Sequence, residues 1–318
     1  MRWTLVTAIA PVAWATNYFV THEYLPTGQP LYGAAIRALP AGALLLALCR
    51  QVPHGAWWWK SLVLGTLNMG SFFALIYLAA QLLPTSIAST IMAASPTVLM
   101  LLAWAVNAER PHGLPLMGAG IGIAGVCLML LTGNVTLNPL GVLASATAMV
   151  TSSFGYVLAK RWSTEVDILA STSWQLIAGG LVVLPLAVVR EGAPPHLGVG
   201  AILGFAYVTI VATAVAFAAW FAGLRHLPAA AVGLIGLLNP VTGVLLGTVI
   251  AEETLTLRQI CGLVLVLLGI ALGQPIAATA AGRIRSRATG ADSRRDAPTG
   301  RARRLGPGES NCATQRDG

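Results

Sequence analysis

Charge is the scarcest commodity in this sequence. Asp, Glu, Lys and Arg make up only 9% of its 318 residues, against about a quarter in an ordinary soluble domain. None of the four occurs between Ser61 and Ala108, or between Pro111 and Ala159. A water-soluble fold cannot be clothed with so little charge. The net charge of +8 does not point to nucleic acid either, because the nine Arg and four acidic residues beyond Gly282 concentrate most of it in a C-terminal tail. Cysteine is also sparse: Cys49, Cys127, Cys261 and Cys312 include no CxxC pair, and the first three lie in apolar runs. They read as buried thiols rather than as a disulfide frame or a zinc site.

Catalytic signatures are missing as well. There is no HExxH, GxSxG or phosphate-cradling glycine loop. The acids outside the tail, Glu23, Glu109, Glu165, Asp167, Glu191, Glu252 and Glu253, sit at the ends of apolar runs or between them. The histidines 22, 54, 112, 196 and 226 do the same. Chemistry at membrane depth would need paired carboxylates, a nucleophile with its base, or metal ligands. The expectation is a non-enzyme with no catalytic residues, no cofactor and no metal.

What is present is apolar surface: 56% of residues are hydrophobic, and the mean hydropathy is +0.75. A crossing needs about 20 apolar residues. The runs give ten: roughly 3–20, 31–49, 58–80, 86–106, 114–132, 139–159, 171–189, 199–222, 228–250 and 259–276. Backbone groups in lipid must bond internally, so these are helices, and the runs lack the alternation of a barrel. The start of the chain, with Arg2 and Ala13-Trp14-Ala15, faintly imitates a signal peptide, but the nine later runs favour an uncleaved first span.

The chain also repeats itself. Pro84 and Pro228, Pro96 and Pro240, Glu109 and Glu253, Gly118 and Gly262, and Gly125 and Gly269 are all 144 residues apart. Earlier in each half the offset is 138, pairing Tyr18 with Tyr156, Arg37 with Gln175 and Gly42 with Gly180. Lys and Arg favour cytoplasmic loops. With the N-terminus inside, those loops hold Arg2, Arg50, Lys60, Arg110, Lys160, Arg161 and Arg225, and outer loops hold only Arg190 and Arg258. Halves of five helices each enter the membrane from opposite faces. The expected fold is therefore all-α integral membrane, with ten transmembrane helices as two inverted five-helix repeats, 1–133 and 134–277. Residues 278–318, rich in Arg, Gly, Ala and Pro, form an expected disordered basic cytoplasmic tail that can graze anionic lipid.

Arg37 is the only charged residue well inside an expected crossing, Lys60 standing at the very start of the third. It lies about two turns, or roughly 9 Å, from the outer end of helix two. Two roles fit it: an anchor that snorkels to the interface or pairs locally, or a charge beside a substrate path. Asn17, Asn68 and Asn239, with Gln175 opposite Arg37 in the repeat, suit interhelical hydrogen bonds or substrate contact. Trp14, Tyr156, Tyr207 and Trp220 lie far enough from helix ends to line a cavity. Trp57, Trp58 and Trp59 beside Lys60 read as an interfacial belt. Pro96 and Pro240, inside crossings and related by the repeat, are expected to bend them, either for packing or to open backbone carbonyls to a cavity. Gly118-x-x-x-Gly122 and Gly269-x-x-x-Gly273 suit close packing within one chain better than a homodimer seam.

These landmarks carry a resemblance. Leu83-Pro84, Pro96, Glu109 and Gly118, repeated as Leu227-Pro228, Pro240, Glu253 and Gly262, together with Trp14 and Arg37, resemble the ten-helix EamA-type branch of the drug/metabolite transporter superfamily. The likeness spans about residues 3–276. It implies a secondary carrier with a central cavity between halves, commonly an exporter of amino acids or related metabolites. Its partners would be a small-molecule substrate and the lipid bilayer. Efflux of cationic drugs, uptake by the same fold, and a non-transporting scaffold are the alternatives. Four-helix relatives that export cations use a membrane-embedded Glu, which no crossing here supplies.

Overall fold

A computed structural model describes residues 2–24, 28–83, 91–130, 138–162, 166–251 and 256–274. Pro84, Glu253, Cys312 and the basic tail lie outside them, as does the side chain of Asn17. The described residues contain helices and no strand. In chain order these are α1 (Arg2–Tyr24), α2 (Pro30–Cys49), α3 (Trp57–Gly65, continuing through Thr66–Ser71 and Phe72–Leu82) and α4 (Ser95–Asn107). Next come α5 (Gly113–Leu130), α6 (Pro139–Trp162), α7 (Ile168–Glu191) and α8 (Val199–Thr209, Ile210–Val215 and Ala216–His226). The last three are α9 (Ala229–Ile235), α10 (Leu238–Ala251) and α11 (Leu257–Leu272).

Local sequence starts and stops these helices. Pro30 opens α2, where its missing N–H costs nothing. Asp167 caps α7 by accepting from the N–H groups of Leu169 and Ala170 at 2.8 and 3.2 Å. Thr256 and Gln259 form a capping box on α11. Among the described residues, seven helical runs, α9 and the start of α10 counted as one, are long and apolar enough to cross a membrane.

Polarity is arranged inside out relative to a soluble protein. Val189, Leu257 and Val199 are each more than three-quarters exposed, and large apolar side chains face outward from almost every helix. The buried set instead includes Arg37, Asn68, Ser145, Ser153, Thr172, Gln175 and Thr213. Outward apolar faces suit lipid, and Arg37 with Thr213 and Asn68 with Gln175 pair between neighbouring helices. The chain is a multi-pass membrane protein.

Two tight seams hold the bundle. Along α5 and α11, a Cβ on Gly118 would stand 2.5 Å from the carbonyl oxygen of Gly269, and one on Gly125 would stand 2.7 Å from that of Gly262. Along α2 and α7, Gly42 abuts Ile177 and Gly180 abuts Leu39, each with 2.7 Å for an added Cβ. Only glycine lets these backbones approach so closely.

Several expectations need correction. Pro96 and Pro240 do not bend continuous helices. Each lies in the first turn of a helix, α4 or α10, that restarts after a non-helical turn at 93–94 or 236–237. Proline is tolerated in a first turn because no N–H is required there. Trp57 is buried (3% exposed) against Trp174, so the belt reduces to Trp58 and Trp59. Cys261 is exposed rather than buried, on the outward face of α11.

Candidate functional site

The site is built where α3 and α8 leave regular α-helical geometry. Thr66–Ser71 and Ile210–Val215 are π-helical. A π turn widens the helix and interrupts the usual hydrogen-bond ladder, which makes it a frequent feature of functional sites. The two segments lie 144 residues apart.

Each π turn receives a polar side chain from another helix. Arg37 of α2 is buried (8% exposed) and does not run to the interface. Its Nε donates to Thr213 Oγ1 at 3.0 Å, and one terminal nitrogen donates to the Ala212 carbonyl at 3.3 Å. Its guanidinium carbon stands 4.6 Å from the centre of the Phe73 ring, a geometry that offsets part of the cost of burying the charge. At the other π turn, Asn68 Nδ2 donates to Gln175 Oε1 of α7 at 2.9 Å. Gly155 leaves the room this needs, since a Cβ there would collide with Asn68 Oδ1.

Aromatic rings lead away from Arg37. Phe73 meets Phe217 edge-on at 6.3 Å, Phe217 meets Trp14 at 5.2 Å, and Trp14 meets Trp220 at 5.2 Å. Tyr156 closes the cluster at 5.6 Å from Trp220 and 6.0 Å from Phe221. Trp220 Nε1 in this cluster and Asn68 Oδ1 in the amide pair are buried without a hydrogen-bond partner. An unmet buried group costs about 1–3 kcal/mol; Trp57 Nε1, Ser61 Oγ, Asn107 Oδ1 and Ser145 Oγ are unmet in the same way away from this cluster. The arrangement offers a cation for a carboxylate, neutral amides, and flat apolar walls.

Of the residues singled out from sequence, Trp14, Tyr156 and Trp220 are brought into one cluster, with Arg37 reaching it through Phe73. Asn68 and Gln175 bond directly to each other. Tyr207 is drawn elsewhere, sharing a 2.6 Å hydrogen bond with Thr16 of α1. Asn239 and Pro240 start α10, and the break before them puts Gly236 against Trp220, with 3.3 Å for an added Cβ. Pro96 packs on Gly233 of α9, with 3.0 Å for an added Cβ. Phe73, Phe217 and Thr213 were not foreseen. The first two could have been, because they stand at the 144-residue offset. Thr213 carries no such signal.

The EamA-like transporter family model matches residues 1–131 and 139–273. Protein PecM of Dickeya dadantii is 34% identical over 84% of this chain and 90% of its own. The uncharacterized inner membrane transporter YedA of Escherichia coli is 25% identical over 77% of this chain and 81% of its own. A solved crystal structure superposes with a TM-score of 0.76 at 21% identity, over 87% of this chain and 98% of the other, and so shares the fold. With both halves of its length matched, the chain belongs to the EamA-like transporter family.

Proposed function

We propose that this membrane transporter is a secondary carrier exporting amino acids or related metabolites across the cytoplasmic membrane. In this reading ten crossings form two inverted five-helix halves that expose a midplane site to each side in turn, with both termini cytoplasmic. Reciprocal contacts support the inverted halves. Gly118 packs on Gly269 and Gly125 on Gly262, and the 144-residue offset converts one contact into the other. Gly42 against Ile177 and Gly180 against Leu39 are exchanged in the same way by the offset of 138. Phe73 and Phe217, equivalent by the repeat, touch each other as residues on a two-fold axis do.

The single observation that carries the substrate class is Arg37, a buried guanidinium lodged between the halves. It can take a carboxylate through paired hydrogen bonds and repels cations, which favours amino-acid-like cargo over cationic drugs. Relatives named as transporters, YedA of Escherichia coli and YvbV of Bacillus subtilis, support a carrier rather than an enzyme. Inverted membrane vesicles containing the protein should accumulate at least one radiolabelled amino acid or related carboxylate beyond vesicles without it. Folded protein that moves none of them would overturn the reading.

A further inference from the structure

One polar cluster takes no part in the central site. Glu109 follows α4, Lys160 lies in the last turn of α6, and Leu227 joins α8 to α9. Glu109 Oε2 accepts from Lys160 Nζ at 2.8 Å, and Glu109 Oε1 accepts from the backbone N–H of Ala229, the first residue of α9, at 2.7 Å. Lys160 also donates to the Leu227 carbonyl at 2.9 Å. Pro228, at the cap position of α9, has no side chain able to do this work, so a residue from the other half of the chain performs it. Around the pair, Arg161 donates to the Val106 carbonyl at 3.1 Å and Arg225 to that of Val166 at 3.0 Å. One end of the bundle is laced shut, the end whose loop charges assign it to the cytoplasm.

Directly behind the lacing is a cavity of about 10 Å³, lined by Ala159, Lys160, Ser171, Gln175, Phe221 and Leu224, near the smallest size that holds one water. Gln175 is its link to the interior, since it accepts from Asn68. A polar line therefore runs from Lys160 past Ser171 to the amide pair. The pair itself is 20% and 28% exposed, and partly exposed ion pairs contribute little stability. Such a contact opens readily, which suits a gate better than a staple.

We propose that the Glu109–Lys160 pair is the gate of a route from this face to Gln175, and that the opened mouth admits anions and zwitterions ahead of cations. Displacing Glu109 leaves Lys160, Arg161 and Arg225 around the opening, which gives that preference. The proposal rests on the inverted-repeat carrier reading and its topology. Ser171→Cys puts a thiol on the route (Ser171 is itself buried). The thiol would be probed in inverted vesicles with two membrane-impermeant methanethiosulfonates, one ending in a sulfonate and one in a trimethylammonium group. Each rate is normalised to that of a free thiol, and the modified residue is read by mass spectrometry.

Ser171→Cys alone should react slowly, and adding Glu109→Gln should accelerate it by about tenfold, because an exposed pair and a helix cap are together worth about that factor. The sulfonate should gain more than the trimethylammonium reagent. No acceleration in a folded double variant, acceleration only from the opposite face, or a larger gain for the cation would each overturn the gate. If Glu109→Gln does not fold, judged by monodisperse elution, Lys160→Gln breaks the same pair and must give the same acceleration with a weaker anion preference. A gate that opens on cue in a protein moving no labelled metabolite would sink the carrier reading and leave the gate standing.

Discussion

Arg37 carries two hydrogen bonds and an aromatic contact inside the bundle, so its replacement is informative beyond stability. Arg37→Gln copies Gln175, the residue at the repeat-related position. It should weaken carboxylate-bearing substrates by about 1.5–3 kcal/mol, the worth of a hydrogen bond to a charged group, and leave cations unaffected or slightly favoured. Competition against one transported substrate measures this, and an unchanged profile in a stably folded variant would remove Arg37 from substrate recognition. This residue was legible because a charge in an apolar run has few explanations. Thr213 was not, since a hydroxyl can satisfy itself on its own helix and so means little in a membrane sequence. Trp57 was misread for a related reason. A tryptophan beside a lysine suits the interface, yet helix phase turns Trp57 inward onto Trp174 while its neighbours Trp58 and Trp59 face out.

At the scale of elements, the apolar runs located the helices well because length and lipid leave little freedom. Their internal breaks were less visible. A proline inside a run looks the same whether it kinks a helix or restarts one, and only the turns at 93–94 and 236–237 decide the matter. Replacing Pro96 or Pro240 with Ala permits a continuous helix through each break. Transport should then fall more than the amount of folded protein in the membrane; normal transport by both variants would reduce the breaks to packing. The glycine seam gives a cleaner contrast. Gly118→Ala would press a Cβ onto the Gly269 backbone, whereas Gly120 has nothing within 4 Å. The first should lose about 1–3 kcal/mol and the second should be neutral or slightly stabilised, with melting temperatures in detergent as the readout. Equal effects would mean that α5 and α11 do not pack as described.

For the whole molecule, the proposed arrangement, argued from loop charges and odd-numbered halves, places both termini in the cytoplasm. A reporter fused after Gly282 should therefore be active only on the cytoplasmic side, and an external signal would overturn the inverted arrangement with it. The repeat was legible because Pro, Gly and Glu recur at fixed offsets. The partner of each repeat residue was not, because an offset relates equivalent positions without saying which of them touch. Gly118 meets Gly269 and not its own equivalent Gly262.

The two π turns are filled unequally, and this has a consequence for where such a carrier rests. If the halves were identical, exchanging their shapes would convert one access state into another of the same energy, and the molecule would spend equal time facing each side. Here one turn is tied by a guanidinium and the other by a neutral amide pair. A charge-assisted hydrogen bond is about twice as strong as a neutral one, and about 1.4 kcal/mol of difference moves a two-state population tenfold. The idle orientation of the carrier would then be written into one departure from symmetry, Arg37 facing Gln175 across the repeat. Exchanging those two residues should turn the resting protein around.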